Sequence, residues 1–358
     1  MSRILVAGGL GFIGSHLVER LLHRSDVDEC VVVDNLWTGC EQNLAHVFDP
    51  RLKIVIADIE TAALEGTFDE IYHLASPASP PWYQAEPLRT ISANVVGAMR
   101  LLSLLTPGGQ IAFSSTSEVY GDPLVSPQPE SYRGSVDCTG PRAAYDESKR
   151  CVEAMLFEAH RVMGVRIKVV RLFNVFGPRT RVDDGRAVSN FVTQALRGAP
   201  ITVYGDGSQT RSWGFIDDIV EGLERYFWRD GVDYPGPVNI GNDREIPVLE
   251  VAQFIQQRFP LCPIVHLPPA PQDPTNRRPD LTVANRIIPG WTCKVAYEEG
   301  VERAIAWFRA EMGLGRAAPI IVPASAWPAA LRTPDPAAEP VVGEVIPGPS
   351  QPGIQASL

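Results

Sequence analysis

The chain opens with short, unbroken apolar runs. Between them lie stretches whose apolar residues recur at helical spacing. The run Arg3 to Ala7 meets a glycine cluster, and Ile13, Leu17, Leu21 and Leu22 then share one helical face. Cys30 to Asp34, Lys53 to Ala57, Glu70 to Leu74 and Gln110 to Ser115 repeat the strand pattern. Helices are predicted at Ser92 to Leu105 and Ala144 to Val162, before a strand at Arg166 to Leu172. Continuous Val/Ile-rich strands alternating with helices predict a parallel sheet covered on both faces. Right-handed crossovers make this an α/β doubly wound parallel sheet, the Rossmann arrangement.

After Asn174 the pattern loosens. It predicts helices at Ala187 to Leu196, Ile216 to Phe227, Val248 to Phe259 and Tyr297 to Met312. Short strands are predicted at Ile201 to Tyr204 and Pro237 to Ile240. The expected organisation is a dinucleotide-binding domain over residues 1–175 and a smaller C-terminal substrate lobe over 176–314, with some segments returning to the sheet. A Pro-rich flexible tail, 315–358, would follow: nine of the 32 prolines fall between Ala317 and Leu358.

Composition narrows the partners. The 358 residues carry a formal net charge of −10, which argues against non-specific nucleic-acid binding and against an anionic membrane surface. The hydrophobic content of 45% excludes disorder throughout. Six cysteines show no metal-ligand spacing, so no metal is predicted, and they read as buried small hydrophobes in a reducing compartment. A strand-like run from Arg3 leaves no signal peptide and no apolar stretch reaches membrane-spanning length, so the expected location is cytoplasmic.

Three motifs carry candidate chemistry. After the first strand the chain reads Gly8-Gly9-Leu10-Gly11-Phe12-Ile13-Gly14. Glycines there permit a tight turn and close approach of backbone to a pyrophosphate at a helix N-terminus. Asp34 ends the second strand, at the spacing where a carboxylate accepts hydrogen bonds from ribose hydroxyls and repels a 2′-phosphate, which favours NAD over NADP. Asp58, after the third strand, reads equally as a contact to adenine or as a loop-starting aspartate. Tyr145 and Lys149 lie four apart on one helical face, where an ammonium is expected to lower a phenol's pKa for proton transfer. The segment Phe113 to Gly121 ends the fifth strand and offers Thr116, Ser117 and Glu118 at the carboxyl edge, where such sheets bind ligands.

These motifs, with HLASPASPPWY (His73 to Tyr83), STSEVYGDP (Ser115 to Pro123), GPRAAYDESKR (Gly140 to Arg150), RLFNVFGPR (Arg171 to Arg179) and NRRPD (Asn276 to Asp280), resemble the extended short-chain dehydrogenase/reductase family. Within it the chain is most similar to the UDP-glucuronate decarboxylase (UDP-xylose synthase) group, over about Ser2 to Met312. The resemblance implies decarboxylation of UDP-glucuronate through a 4-keto intermediate to UDP-xylose and CO2, with some release of UDP-4-keto-pentose. Alternatives are a 4,6-dehydratase or 4-epimerase of the same family, or a non-catalytic NAD-binding protein. Dehydratases carry an aspartate where Ser117 stands, and simple epimerases lack the acid at Glu118.

The resemblance also implies site residues. Thr116, Ser117, Glu118, Tyr145, Lys149 and Arg277 would be catalytic, with Glu118 holding the ring or relaying a proton. Gly8, Gly11, Phe12, Ile13, Gly14, Asp34, Asn35, Asp58, Ile59, Leu74, Ala75, Ser76, Tyr145 and Lys149 would hold a tightly bound, regenerated NAD. Arg89, Asn174, Arg179, Val188, Val203, Tyr204, Arg211 and Arg277 would bind the UDP-sugar. A homodimer is implied through a four-helix bundle of the helices Ser92 to Leu105 and Ala144 to Val162. Two positions depart from the group: Ser148 stands where glycine is frequent, and Trp213-Gly214-Phe215 replaces an aromatic-tyrosine-valine run.

Overall fold

The computed structural model describes residues 2–228 and 233–314. The expected Pro-rich tail, 315–358, lies outside the described residues. The first half runs β1 (Ser2–Ala7), α1 (Phe12–Leu22), β2 (Val27–Asp34), β3 (Leu52–Ile56), β4 (Phe68–His73), α2 (Pro80–Ala85), α3 (Pro87–Ser103), β5 (Leu105–Thr116), α4 (Ala143–Met163), β6 (Arg166–Leu172) and β7 (Val175–Phe176). The second half runs α5 (Ala187–Leu196), β8 (Ile201–Tyr204), β9 (Thr210–Ser212), β10 (Gly214–Phe215), α6 (Ile216–Phe227), β11 (Val238–Ile240), β12 (Glu245–Pro247), α7 (Val248–Gln256), β13 (Ile264–Leu267), β14 (Asn276–Arg277), α8 (Thr282–Ile287) and α9 (Tyr297–Glu311).

Seven strands form the main sheet in the order β11-β6-β5-β4-β1-β2-β3, and every pairing in it is parallel. The chain leaves β1 toward β2 and β3, then restarts at β4 on the other side of β1. That reversal opens a crevice beyond the carboxyl ends of β1 and β4, where doubly wound sheets bind nucleotides. Central strands are apolar on both faces because helices cover both: Ile4, Leu5, Val6 and Ala7 of β1 are all fully buried. β3 is the edge, and its Ile54 and Ile56 are partly exposed.

The second half contributes β11 to this sheet, through pairing of Val238 to Ile240 with Val170 to Leu172. Three small sheets, β10-β7, β12-β9-β14 and β13-β8, gather above its carboxyl edge. One apolar cluster joins Val6, Leu17 and Val32 to Phe215, Ile219 and Phe308, so both halves share a core. The glycine of Trp213-Gly214-Phe215 is a packing requirement: a Cβ on Gly214 would stand 2.6 Å from Ile219 Cδ1.

Two features differ from the sequence expectation. The helix predicted from Ser92 starts at Pro87, since proline fits a first turn and supplies a start that apolar periodicity does not mark. The cysteines are not uniformly buried: Cys40, Cys138 and Cys151 are exposed, Cys30 and Cys262 are buried, and none of the six is paired.

α4 carries the Tyr-Lys pair, and a buried ion pair fixes it to the sheet. Arg171 of β6 donates from Nε to Glu153 Oε1 at 3.0 Å and from Nη2 to Oε2 at 2.7 Å. Ser115 of β5 donates to the same carboxylate. Glu153→Ala would strand the Arg171 cation in the core. We expect a loss of about 3–5 kcal/mol, read from the urea unfolding midpoint, and an unchanged midpoint would show the pair to be dispensable.

Candidate active site

The glycine turn is built for backbone to meet a ligand. Gly8 has φ +82°, and a Cβ on it would lie 2.7 Å from Ala75 N. A Cβ on Gly14 would lie 2.1 Å from Gly8 O, so the first turn of α1 packs on the loop with no room for a side chain. Asp34 braces this loop: its carboxylate accepts from Leu10 N at 3.0 Å and from Leu36 N at 2.9 Å. Burial pushes the Asp34 carboxyl up, and those two backbone bonds pull it back.

The crevice is an open cleft that runs from the glycine turn to the end of β5. Its walls include Gly8, Gly11, Phe12, Ile13, Gly14, Asp34, Asn35, Asp58, Ile59, Leu74, Ala75 and Ser76, which is the whole set predicted to hold the cofactor together with Tyr145 and Lys149. The residues present therefore fit a dinucleotide: a side-chain-free cradle at one end, a buried carboxylate beside it, and hydroxyl and ammonium groups at the other. Asn35 donates to Asp58, and Arg89 reaches Asp58 at 3.5 Å while stacking 4.3 Å from the Trp37 ring centre. Arg89, predicted to contact the sugar nucleotide, thus stands at the Asp58 end of the cleft.

At the other end, β5 stops at Thr116 and turns through a short 3-10 segment, Ser117–Tyr120. Thr116 Oγ1 caps that turn by accepting from Glu118 N at 3.2 Å. The turn aims Ser117 and Glu118 into the cleft beside Tyr145. Tyr145 stacks on Tyr83 of α2, with ring centres 5.0 Å apart and planes 8° from parallel. Burial pushes the Tyr145 phenol up, against the lowering expected from its lysine neighbour; the hydrogen bond with Thr116 pulls in the other direction. Lys149 Nζ instead donates to Ser114 O at 2.8 Å and lies 4.8 Å from the Phe113 ring centre. Burial pulls this ammonium down to about 7, with Glu153 opposing.

A cation held so far below its ordinary value of 10.5 costs stability. Between about pH 7 and 10.5 the unfolded chain binds the proton and the folded one does not, so stability from this group rises with pH over that window. Lys149→Met is expected to raise the melting temperature by about 2 °C or more below pH 7, with the gain fading toward pH 10, while turnover is lost. A lower melting temperature at neutral pH would refute the strain.

Glu118 is the most constrained carboxylate of the site. Arg142 donates to its Oε2, and Arg277 Nη2 reaches the same oxygen at 3.1 Å. Burial raises the carboxyl, but Arg277 and then Arg142 outweigh it and hold it near 2. Asp146, 95% buried one residue past Tyr145, shows the reverse: burial and the Glu118 anion push it up to about 8.

The remaining predicted residues fall in three places. Asn174 and Arg179 line the cleft; Asn174 Oδ1 is buried without a hydrogen-bond partner, and Arg179 pairs with Glu19 of α1 at 2.8 Å. Arg211 sits beside Arg277 in the β9-β14 register and pairs with Asp273 at 2.8 Å. Val188 and Val203 depart from expectation, because their side chains are buried in the apolar core rather than on the cleft. Strand alternation puts Val203 inward and leaves its neighbour Tyr204 about half exposed.

Sequence reasoning missed Arg142, Asp146, Tyr83 and Arg186, the last of which lines the cleft. A signal existed for two of them. Arg142, Tyr145, Asp146 and Lys149 fall at i, i+3, i+4 and i+7, one stripe along the start of α4. Ser148 tethers α4 to α3 by accepting from Asn94 Nδ2 at 2.9 Å.

Comparison with known proteins agrees with this geometry. Residues 4–241 match the family model described as NAD dependent epimerase/dehydratase family. UDP-glucuronic acid decarboxylase 5 of Arabidopsis thaliana is 44% identical over 315 residues, covering 87% of this chain and 91% of that protein. UDP-glucuronic acid decarboxylase 1 of Danio rerio is 43% identical over 314 residues, covering 87% and 73%. Among solved structures, a dTDP-glucose 4,6-dehydratase from Streptomyces venezuelae with NAD bound superposes with a TM-score of 0.77 at 26% identity, covering 88% of this chain and 99% of that one. A UDP-glucose 4-epimerase from Thermotoga maritima with UDP-glucose gives 0.74 at 27%, covering 87% and 99%. A glycine cradle, a braced carboxylate and a Tyr-Lys pair on one doubly wound sheet, together with these matches, place the chain in the NAD dependent epimerase/dehydratase family.

Proposed function

We propose that the protein decarboxylates UDP-glucuronate to UDP-xylose and CO2 with NAD as a tightly held, regenerated cofactor. The observation that carries this reading is the strand end. Ser117 occupies the position of the acid that dehydratases need for removing water, and Glu118 lies between Arg142 and Arg277. Two guanidiniums against one carboxylate leave a net positive patch, which suits a substrate bearing its own carboxylate. The kinship with named UDP-glucuronic acid decarboxylases supports the same reading.

Bound NAD would supply reversible removal of hydride from C4 of the sugar. The protein's groups do the rest. Thr116 and Tyr145 would hold the C4 hydroxyl, and Tyr145 would take its proton. Lys149, fixed on Ser114 O, would stand beside the phenol as a cation that titrates near neutrality. Once C4 is a ketone, it lies β to the carboxylate, and loss of CO2 places charge on the C4 oxygen. Tyr145 and Thr116 would donate to that oxygen. Tyr145 would then give back the proton it took. Asn174, Arg179, Arg211 and the main chain near Val188 would hold the UDP group, with Arg277 engaging the carboxylate.

Incubation with UDP-glucuronate and NAD should release CO2 and yield UDP-xylose by mass. Unchanged UDP-glucuronate would overturn the reading. We also propose a cytoplasmic homodimer. The dimer is supported by α3, whose Leu88, Ile91, Val96 and Met99 form an exposed apolar stripe. Met99→Glu should shift the sedimenting species to half the mass, and a monomeric parent protein would refute the dimer. The location is supported by three exposed, unpaired cysteines.

A further inference from the structure

Decarboxylation has a proton balance that Tyr145 does not close. Loss of CO2 from a carboxylate leaves its electron pair on the C4-C5 enolate, and C5 must gain one proton: R–COO⁻ + H⁺ gives R–H + CO2. The proton that Tyr145 removes from the C4 hydroxyl is returned to the C4 oxygen, so it is not available to carbon. Glu118 is fixed as a carboxylate by two guanidiniums and has no proton to give. The guanidiniums of Arg142 and Arg277 do not release theirs. A separate acid is required.

Behind Glu118 lies a second cavity, of about 210 Å³, walled by Arg142, Asp146, Arg277, Asp137 and Asp273. Glu118 is the residue this cavity shares with the cleft. Asp146 is 95% buried on its wall, and its Oδ1 has no hydrogen-bond partner. Charged side chains line the space, which is wide enough for several waters.

We propose that Asp146 is the proton store for C5, passing its proton through water in this cavity past Glu118 to the enolate carbon. The proposal rests on the decarboxylase reading. The O–H bond of Asp146 breaks, the enolate pair forms the C5–H bond, and the C4 carbonyl re-forms. Asp146 is left as a carboxylate and regains its proton from solvent by the same cavity. The groups facing it set its state: Glu118 from the strand end, Tyr83 from α2, Arg277 from β14, and Arg142, Tyr145 and Glu147 along its own segment. Burial and the Glu118 anion keep it protonated to about pH 8.

The test uses the NAD-loaded enzyme, UDP-glucuronate and Asp146→Asn, which keeps the shape and cannot donate. CO2 release should continue, UDP-xylose formation should fall at least tenfold, and the stranded enolate, released and protonated at C5 by bulk water, should appear as UDP-4-keto-pentose. The KM for UDP-glucuronate should move less than twofold. The wild-type kcat should fall above about pH 8, and the variant should lose that limb. A variant with wild-type product split and pH profile overturns the proposal. Should the variant not fold, a wild-type kcat that stays flat through pH 9 overturns it alone. Failure of the wild type to release CO2 from UDP-glucuronate would instead remove the decarboxylase reading beneath it.

Discussion

Tyr145→Phe is expected to reduce turnover by about 10²–10⁴-fold while leaving nucleotide binding within about twofold. The structure says why these two should separate. The Tyr145 ring is 95% buried and stacked on Tyr83, and phenylalanine keeps both the volume and the stack. Only the hydroxyl goes, and with it the hydrogen bond to Thr116. No other described group near Thr116 offers the same acid-base service: Lys149 is committed to Ser114 O, and Glu118 is bound by two arginines. Calorimetric titration with UDP should match the parent protein, and a thermal scan should show an intact fold. A variant that keeps more than a tenth of the parent rate would remove Tyr145 from the proton transfer.

Gly14→Ala should cost the protein its NAD. The added methyl would stand 2.1 Å from Gly8 O and 2.9 Å from Gly9 Cα, both main-chain atoms that no rotamer change can move aside. Either α1 tilts away from β1 or the loop is pushed toward the space the pyrophosphate needs. We expect purified protein to contain under a tenth of the parent's bound NAD, measured after acid release, with affinity for added NAD lowered at least 100-fold. Full retention of NAD would show that the loop yields more easily than its packing implies.

How much of this was legible beforehand depends on sequence distance. Strands β1 and β2 could be read because both their faces are buried, so Ile4 to Val6 and Val31 to Val33 run without a polar break. Strands β4 and β6 carry charged residues among their apolar ones and are read from the alternation of strands with helices. The glycine cradle and Asp34 are local, and spacing alone ties them together. Glu118 and Arg277 stand 159 residues apart, so nothing short of the folded chain shows that they meet. The two-residue strands β7, β10 and β14 were unreadable for the same reason: two residues have no period. Val203 shows a different limit. Its segment predicts a place near the ligand, but the alternation of β8 sends its side chain to the core and Tyr204 outward. Likeness of a segment locates the backbone; pleat and helix phase decide which side chain faces the cleft.

The brace formed by Asp34 has a practical consequence for redesign. Its carboxylate is the one we propose for the ribose hydroxyls, and in the folded chain it also fastens Leu10 of the glycine loop and Leu36 at the start of the next turn. Cofactor preference and loop architecture therefore share one side chain. Exchanging Asp34 for a small neutral residue, the obvious first move toward a 2′-phosphorylated dinucleotide, would free the buried Leu10 N–H and the half-buried Leu36 N–H at the moment it removed the repulsion. Engineering toward NADP must begin with replacement acceptors for Leu10 and Leu36, and only then with a cation for the phosphate.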